Sequence, residues 1–395
     1  MAARSFVVPK VDSVTYGAGA FESVGDLVQR QGAARVFVVL SGSLAGSAVE
    51  ATLRERLGAR LVGVYDRTRQ HVPRGSVLEA AEQARAAGAD CLVSVGGGTP
   101  IDCAKAVALC LATGITTRER FDDYRIRFTY PSTHEVPEID GQLVPHIAVP
   151  TTLSGGEHTA LVGVTDERTH VKDAFTAPGL MPRAIVLDPV VTRGTPDWLW
   201  AASGMRAVDH AVEGILSTRH MPFADGLGSE ALRLLTVNLA HSAKNPDDLE
   251  ARTNCLIATW LSIFALTNVG IGLSHGIGHQ LAAEFDVLHG LTSAIMLPLV
   301  MEFNAAHTAP GLRRIAEAMG TDTSGLDDHQ VADAAVGTMR ELIASLGVPH
   351  TLRAVGANRD ALPAVAQRAL GDPAVAASPR PVSTQDLLEL LEAAW

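Results

Sequence analysis

The chain has 395 residues, too many for one ordinary core and enough for two domains, and its 47% hydrophobic and 19% charged content excludes a disordered polymer. A net charge of −11 without a basic stripe argues against nucleic acid as partner. Apolar runs broken well short of the ~18 residues of a membrane span argue against a membrane protein.

The first half alternates strand and helix signals. RVFVVLS (35–41) is a β-branched run, followed by a helical stretch from about Ala45 to Leu57 and a second strand, RLVGVYD (60–66). VLEAAEQARAAGA (77–89) reads as a helix and DCLVSV (90–95) as a third strand. Such alternation with continuous apolar strands implies a parallel sheet covered on both faces. Residues 116–145, polar and holding three prolines, read as an extended insertion before the strand HIAVP (146–150). IVLDP (185–189) reads as the last strand. Beyond it helical periodicity takes over, which predicts an α/β domain over 1–188 and an all-α domain over 189–395. Cys91, Cys103, Cys110 and Cys255 lie in apolar runs without CxxC spacing, and MAARSFVVPK lacks a long apolar leader core. A reduced, cytoplasmic setting is expected.

Two loops sit at strand ends. GGGTPIDCAK (96–105) joins DCLVSV to a helix, so its glycines permit close backbone approach to a phosphate and the helix start offers free N–H groups. Thr99 is read as N-cap, Pro100 as N1 and Asp102 as N3. VPTTLSGGEHT (149–159) ends the strand HIAVP, where ligands of open α/β sheets bind. In the helical half, LSHGIGHQLAAEFDVLHG (273–290) places His275 and His279 four residues apart on one helical face, with His289 just beyond. SGMRAVDHAVEG (203–214) adds His210, four residues after Arg206.

VSVGGGTPIDCAKAVAL, VPTT, IVLDP, GMRAVDHAVEG and SHGIGHQLAAEFDVLHGLTSAIMLPLVMEFN together resemble the iron-containing alcohol dehydrogenase family, which shares the dehydroquinate synthase-like fold. The resemblance covers about residue 14 to 395 in order. It implies a Rossmann-like nicotinamide domain, a helical catalytic domain and a cleft between them. It assigns Gly97, Gly98 and Thr99 to the pyrophosphate, Asp102 to the nicotinamide end, Thr151, Thr152 and neighbouring Ser154 to the nucleotide, and Lys172 to the nicotinamide ribose. Ser41 stands where NAD-specific relatives often place an aspartate. Either NADH or NADPH is therefore expected as cofactor. The family's metal ligands are an aspartate, a histidine four residues on, and two histidines fourteen apart. His210, His275 and His289 fill the histidine positions, and His279 matches an extra histidine near the reacting carbon. The aspartate position holds Arg206.

The loop TTLSGGE (151–157) is one residue shorter than the usual metal-dependent form. Its length matches the maleylacetate reductase branch, which also lacks the aspartate. Arginine stays protonated and cannot coordinate, so a divalent metal held by His210, His275 and His289 is expected to be weak or absent. Arg206 can instead bind an oxo or carboxylate group, beside His210, His275 and His289, with His279 as general acid. The expected protein is a homodimeric reductase of a small anionic oxo or enone compound. The alternative is an iron- or zinc-dependent alcohol dehydrogenase. Arg206 could also merely pair with Asp209 or Glu213.

Overall fold

The computed structural model describes residues 6–129, 133–169 and 171–395. In chain order the first half forms β1 (Ser13–Tyr16), α1 (Val24–Arg30), β2 (Val36–Leu40), α2 (Ala48–Leu57), β3 (Leu61–Tyr65), α3 (Arg74–Ala86), β4 (Cys91–Gly96) and α4 (Gly98–Thr113). Then come β5 (Arg127–Thr129), β6 (Thr133–Glu135), β7 (His146–Pro150), β8 (Leu161–Asp166), β9 (Val171–Thr176) and β10 (Ala184–Leu187). Six of the strands pair in parallel in the order β1-β10-β7-β4-β2-β3. The continuous apolar runs have their cause in this sheet. Phe37 and Val39 of β2 face a core shared with α3 and α4, while Val36, Val38 and Leu40 face a second core with α1 and α2. Every residue of β2, β4, β7 and β10 is buried.

The strand order reverses at β2, with β3 on one side and β4 on the other. The ends of β2 and β4 therefore flank the switch point where open α/β sheets bind ligands. Ser41 and Gly96 stand at those ends, and Ser41 N donates to Val95 O at 2.9 Å.

Three sequence expectations need correction here. Helix α4 begins at Gly98 with Gly97 as N-cap and no side-chain cap. Thr99 and Pro100 therefore lie inside the first turn, and Asp102 completes no capping box. An antiparallel ribbon, β8–β9, went unread between the last two sheet strands. The 116–145 insertion is also less irregular than expected. It holds a 3₁₀ turn, Glu119–Asp123, and the β5–β6 pair. Buried Arg74 ties it down: Nη1 donates to Arg118 O at 2.6 Å, and Nη2 reaches Asp122 Oδ1 and Asp173 Oδ2 at 2.7 Å each.

The second half is helical: α5 (Asp197–Leu216), α6 (Pro222–Lys244), α7 (Leu249–Val269), α8 (Leu273–Phe285), α9 (His289–Ala318), α10 (Asp328–Leu346), α11 (Leu362–Ala369), α12 (Pro373–Ala376) and α13 (Thr384–Ala393). Central α5 packs on α6, α7 and α9 and is buried almost throughout. Gly290, in the first turn of α9, lets that helix approach α5 so closely that a Cβ there would fall 1.8 Å from Ala202 O. No single helix among the described residues is long and apolar enough to cross a membrane.

The chain divides into two compact units, one running to Arg127 and from His134 to Gly194, the other Phe128–Thr133 with Thr195–Trp395. The main division lies a few residues past the expected 188/189. Asp188 Oδ2 accepts from Phe21 N at 2.8 Å and Oδ1 from Val190 N at 2.9 Å, which ties the turn after β10 to the first unit.

Candidate active site

In the first unit the glycine loop and the threonine loop face each other. Thr151 N donates to Gly96 O at 2.9 Å. A Cβ on Gly97 would stand 3.1 Å from Thr152 Oγ1, and one on Gly98 3.0 Å from Ser154 Oγ. Gly96 has φ +145°, and a Cβ there would meet Ser41 Cβ at 2.8 Å. Ser41, Gly97, Gly98, Thr152 and Ser154 are thus brought together at the switch point, with Thr99 in the first turn of α4. Because no side chain caps Gly97, the first N–H groups of α4 are left for an anion. This cradle, which any side chain would fill, fits a dinucleotide pyrophosphate.

Asp102 lies one turn further along α4. Lys172 lies on the β8–β9 ribbon, exposed, with Thr165 as its register partner.

Lys105 is a residue that sequence reasoning missed. Fully buried, it donates from Nζ to Gly156 O at 2.5 Å and Leu161 O at 2.9 Å. Burial lowers its pKa, opposed by Asp102 and Glu157. It fastens the threonine loop to α4, one turn past Asp102. Its presence in IDCAK was visible, but nothing local marks a buried lysine.

In the second unit Arg206 and His210 project from the same face of α5. His275 and His279 come from α8, and His289 begins α9 after Asp286 turns the chain through a left-handed conformation (φ 54°). The imidazoles form a chain: ring centroids of His210 and His275 are 5.0 Å apart, His275 and His279 6.5 Å, and His279 and His289 6.1 Å. Two buried acids lie beneath. Asp209 Oδ2 accepts from Ser274 Oγ at 2.9 Å and Ser293 Oγ at 2.6 Å, and lies 3.8 Å from Arg206 Nη1. Glu213 accepts the Gly272 and Ser274 N–H groups, each at 2.6 Å, and so caps α8 electrostatically as well as by hydrogen bonds. Both acids sit three and seven residues after Arg206, a spacing that already put them on its helical face.

His275 Nδ1 stands 2.7 Å from Glu213 Oε2 without hydrogen-bond geometry. Burial pushes Glu213 up to about 7, opposed by those two N–H groups, and holds His210 and His275 well below the ordinary histidine value. Burial likewise raises Asp209 and lowers Arg206. The His210 and His275 rings are therefore neutral at pH 7. His210 Nδ1 and His275 Nε2 make no hydrogen bond among the described residues. Arg206 itself keeps a 13% exposed side chain, with Nη1 3.4 Å from Ser293 Oγ.

The residues do not fit the metal that the sequence pattern implies. Where an anionic ligand is needed stands a guanidinium, which cannot coordinate and repels a cation. Two groups of potential ligands come within 4.8 Å of one another among the described residues: Asp209–Glu213–His275, and Asp122–Asp166–Asp173. The second already surrounds Arg74. The set His210, His275 and His289 is not among them.

Residues 12–189 match the family described as iron-containing alcohol dehydrogenase, and residues 200–395 match the C-terminal part of the Fe-containing alcohol dehydrogenase family. The lactaldehyde reductase of Escherichia coli (strain K12) is 30% identical over 97% of this chain and 98% of its own length. A maleylacetate reductase of Burkholderia cepacia is 29% identical over 98% and 96%. A crystal structure of a 1,3-propanediol oxidoreductase superposes with a TM-score of 0.90 at 28% identity, covering 99% of this chain and 100% of that one. The chain belongs to the iron-containing alcohol dehydrogenase family and is an NAD(P)-dependent oxidoreductase.

Proposed function

We propose that the protein reduces a small carboxylated oxo or enone compound, in the manner of a maleylacetate reductase, without a catalytic metal. The observation that carries this reading is Arg206, whose side chain is 13% exposed, among neutral imidazoles at the position where the family places its anionic metal ligand.

When bound, NADH or NADPH supplies the hydride. Gly97, Gly98 and Thr99 would hold its pyrophosphate, with Thr151, Thr152 and Ser154 along the nucleotide. Ser41 brings no carboxylate to repel a 2′-phosphate, so both dinucleotides remain in the proposal, as does Lys172 at the ribose. In the second unit the guanidinium faces the substrate's carboxylate or developing oxyanion, a charge-assisted contact stronger than a neutral one. His210 and His275 offer uncharged ring nitrogens beside it. His289 completes the polar wall, and His279, with a 35% exposed side chain, gives the proton that balances the hydride.

A second reading, a metal-dependent alcohol dehydrogenase, draws on the Asp209–Glu213–His275 group. Against it, Asp209 already takes two hydroxyl groups and faces Arg206, while Glu213 is occupied by two backbone N–H groups.

Oxidation of NADH and NADPH, followed with oxo acids, enones and aldehydes with and without EDTA, tests the proposal alongside metal analysis. Chelator-resistant reduction of a carboxylated substrate is expected. One equivalent of tightly held metal with turnover abolished by EDTA would overturn it.

A further inference from the structure

His279 has a 35% exposed side chain and a fixed hydrogen-bond partner. Its Nδ1 lies 3.0 Å from Asp372 Oδ2, across 93 residues of sequence. Asp372 is nearly buried, with a 9% exposed side chain. Its two oxygens do separate work. Oδ1 accepts from Ala374 N at 2.9 Å and starts α12, which leaves Oδ2 for the imidazole. The turn is held against α8 at Gly276, where a Cβ would stand 2.6 Å from Val375 Cγ2 and 3.0 Å from Val375 N. Gly276 and His279 are three apart and share a helical face. The close approach at Gly276 therefore sets the distance at which Asp372 meets His279.

We propose that Asp372 is a positioning residue for His279: it holds the proton on Nδ1, orients the ring, and leaves Nε2 as the nitrogen that exchanges a proton with substrate. A carboxylate only accepts, so Nδ1 must donate. This selects one neutral tautomer and fixes the ring's orientation. In the reduction, the Nε2–H bond breaks and an O–H bond forms on the substrate oxygen that has received the electron pair. His279 ends neutral with Nδ1–H still on Asp372, and is reprotonated from water at its exposed edge. The proposal rests on His279 as the general acid.

Asp372→Asn preserves an N-cap, since Asn serves that position as well as Asp, while removing the obligatory acceptor. With NADH and maleylacetate, kcat is expected to fall about 10- to 100-fold with KM and NADH binding little changed. Asp372→Glu should restore part of the rate. In a His279→Ala background Asp372→Asn should cost nothing further. Gly276→Ala, which pushes the turn away, should move kcat in the same direction. Independently of substrate, the ring ¹⁵N signals of His279, assigned with His279→Ala, should lose their Nδ1–H pattern in Asp372→Asn.

An unchanged ¹⁵N pattern overturns the proposal, and so does an equal loss of kcat with and without His279. Wild-type turnover by His279→Ala would instead sink the acid assignment, and the ¹⁵N pattern would still decide whether Asp372 holds the ring.

Discussion

Replacing Arg206 by methionine keeps much of the stem's bulk and deletes the charge. Two losses follow, and they can be told apart. Between Nη1 and Asp209 Oδ2, 3.8 Å apart, the gross attraction is about 4 kcal/mol at an effective dielectric of 20. Desolvation offsets most of it, and Asp209, which burial already raises, can take up a proton. The net loss of stability should be about 1–3 kcal/mol, the usual cost of stripping a partner from a hydrogen-bonded charge. A bound carboxylate or oxyanion loses a charge-assisted hydrogen bond worth about 1.5–3 kcal/mol, which is about 10- to 150-fold in kcat/KM.

The assay compares an oxo acid with its methyl ester. If the guanidinium binds the substrate carboxylate, Arg206→Met lowers kcat/KM on the acid by that factor and on the ester much less. The NADH dissociation constant, measured by fluorescence, should not move, because the dinucleotide residues belong to the other unit. An equal change on acid and ester, accompanied by a lower melting temperature, would reduce Arg206 to a structural partner of Asp209.

Burial holds the pKa of His146 near 3, with Ser94 Oγ 2.8 Å from Nε2. The unfolded chain takes up this proton below about 6.5 and the folded one does not, so stability falls as pH drops. From pH 6.5 to 5 the cost should be about 2 kcal/mol. The difference in urea midpoint between wild type and His146→Gln should track pH across that window; a constant difference would contradict the burial account. Arg74→Met should leave Asp166 to Arg168 and Asp173 to Arg125 alone at a cost of about 1–3 kcal/mol, and hydrogen exchange over 116–129 should accelerate. Unaltered protection there would mean that the insertion is held by other contacts. Gly98→Ala places a Cβ 3.0 Å from Ser154 Oγ and should weaken NADH and NADPH binding by about 1–3 kcal/mol, the usual range for overpacking. Tight binding to this variant, read by calorimetry, would move the pyrophosphate elsewhere.

What could be read from the sequence was whatever has a local cause. Continuous apolar strands gave the parallel sheet because each strand is covered twice, and glycines at strand ends gave the cradle because no side chain fits there. The i,i+4 pairs Arg206/His210 and His275/His279 follow from helical geometry alone. Elements without such a cause escaped. The β8–β9 strands alternate only moderately, buried with half-exposed, and lack a two-residue turn signal. The start of α4 was misplaced because Thr99 and Pro100 look like a cap, whereas the glycine before them takes that place.

The missed side chains depend on distant partners. Lys105 needs Gly156 and Leu161, and Asp372 needs His279. The arginine at the metal-site aspartate position was legible in the sequence, and so was the expectation of weak metal binding that follows from it. The folded chain adds that Asp209, 3.8 Å from Nη1, and Glu213 lie buried below Arg206 and that burial raises both carboxyls. One helix thus carries a cation, at 206, over two acids whose charge burial weakens, at 209 and 213, which in the proposed reading leaves the guanidinium's charge available to an anion.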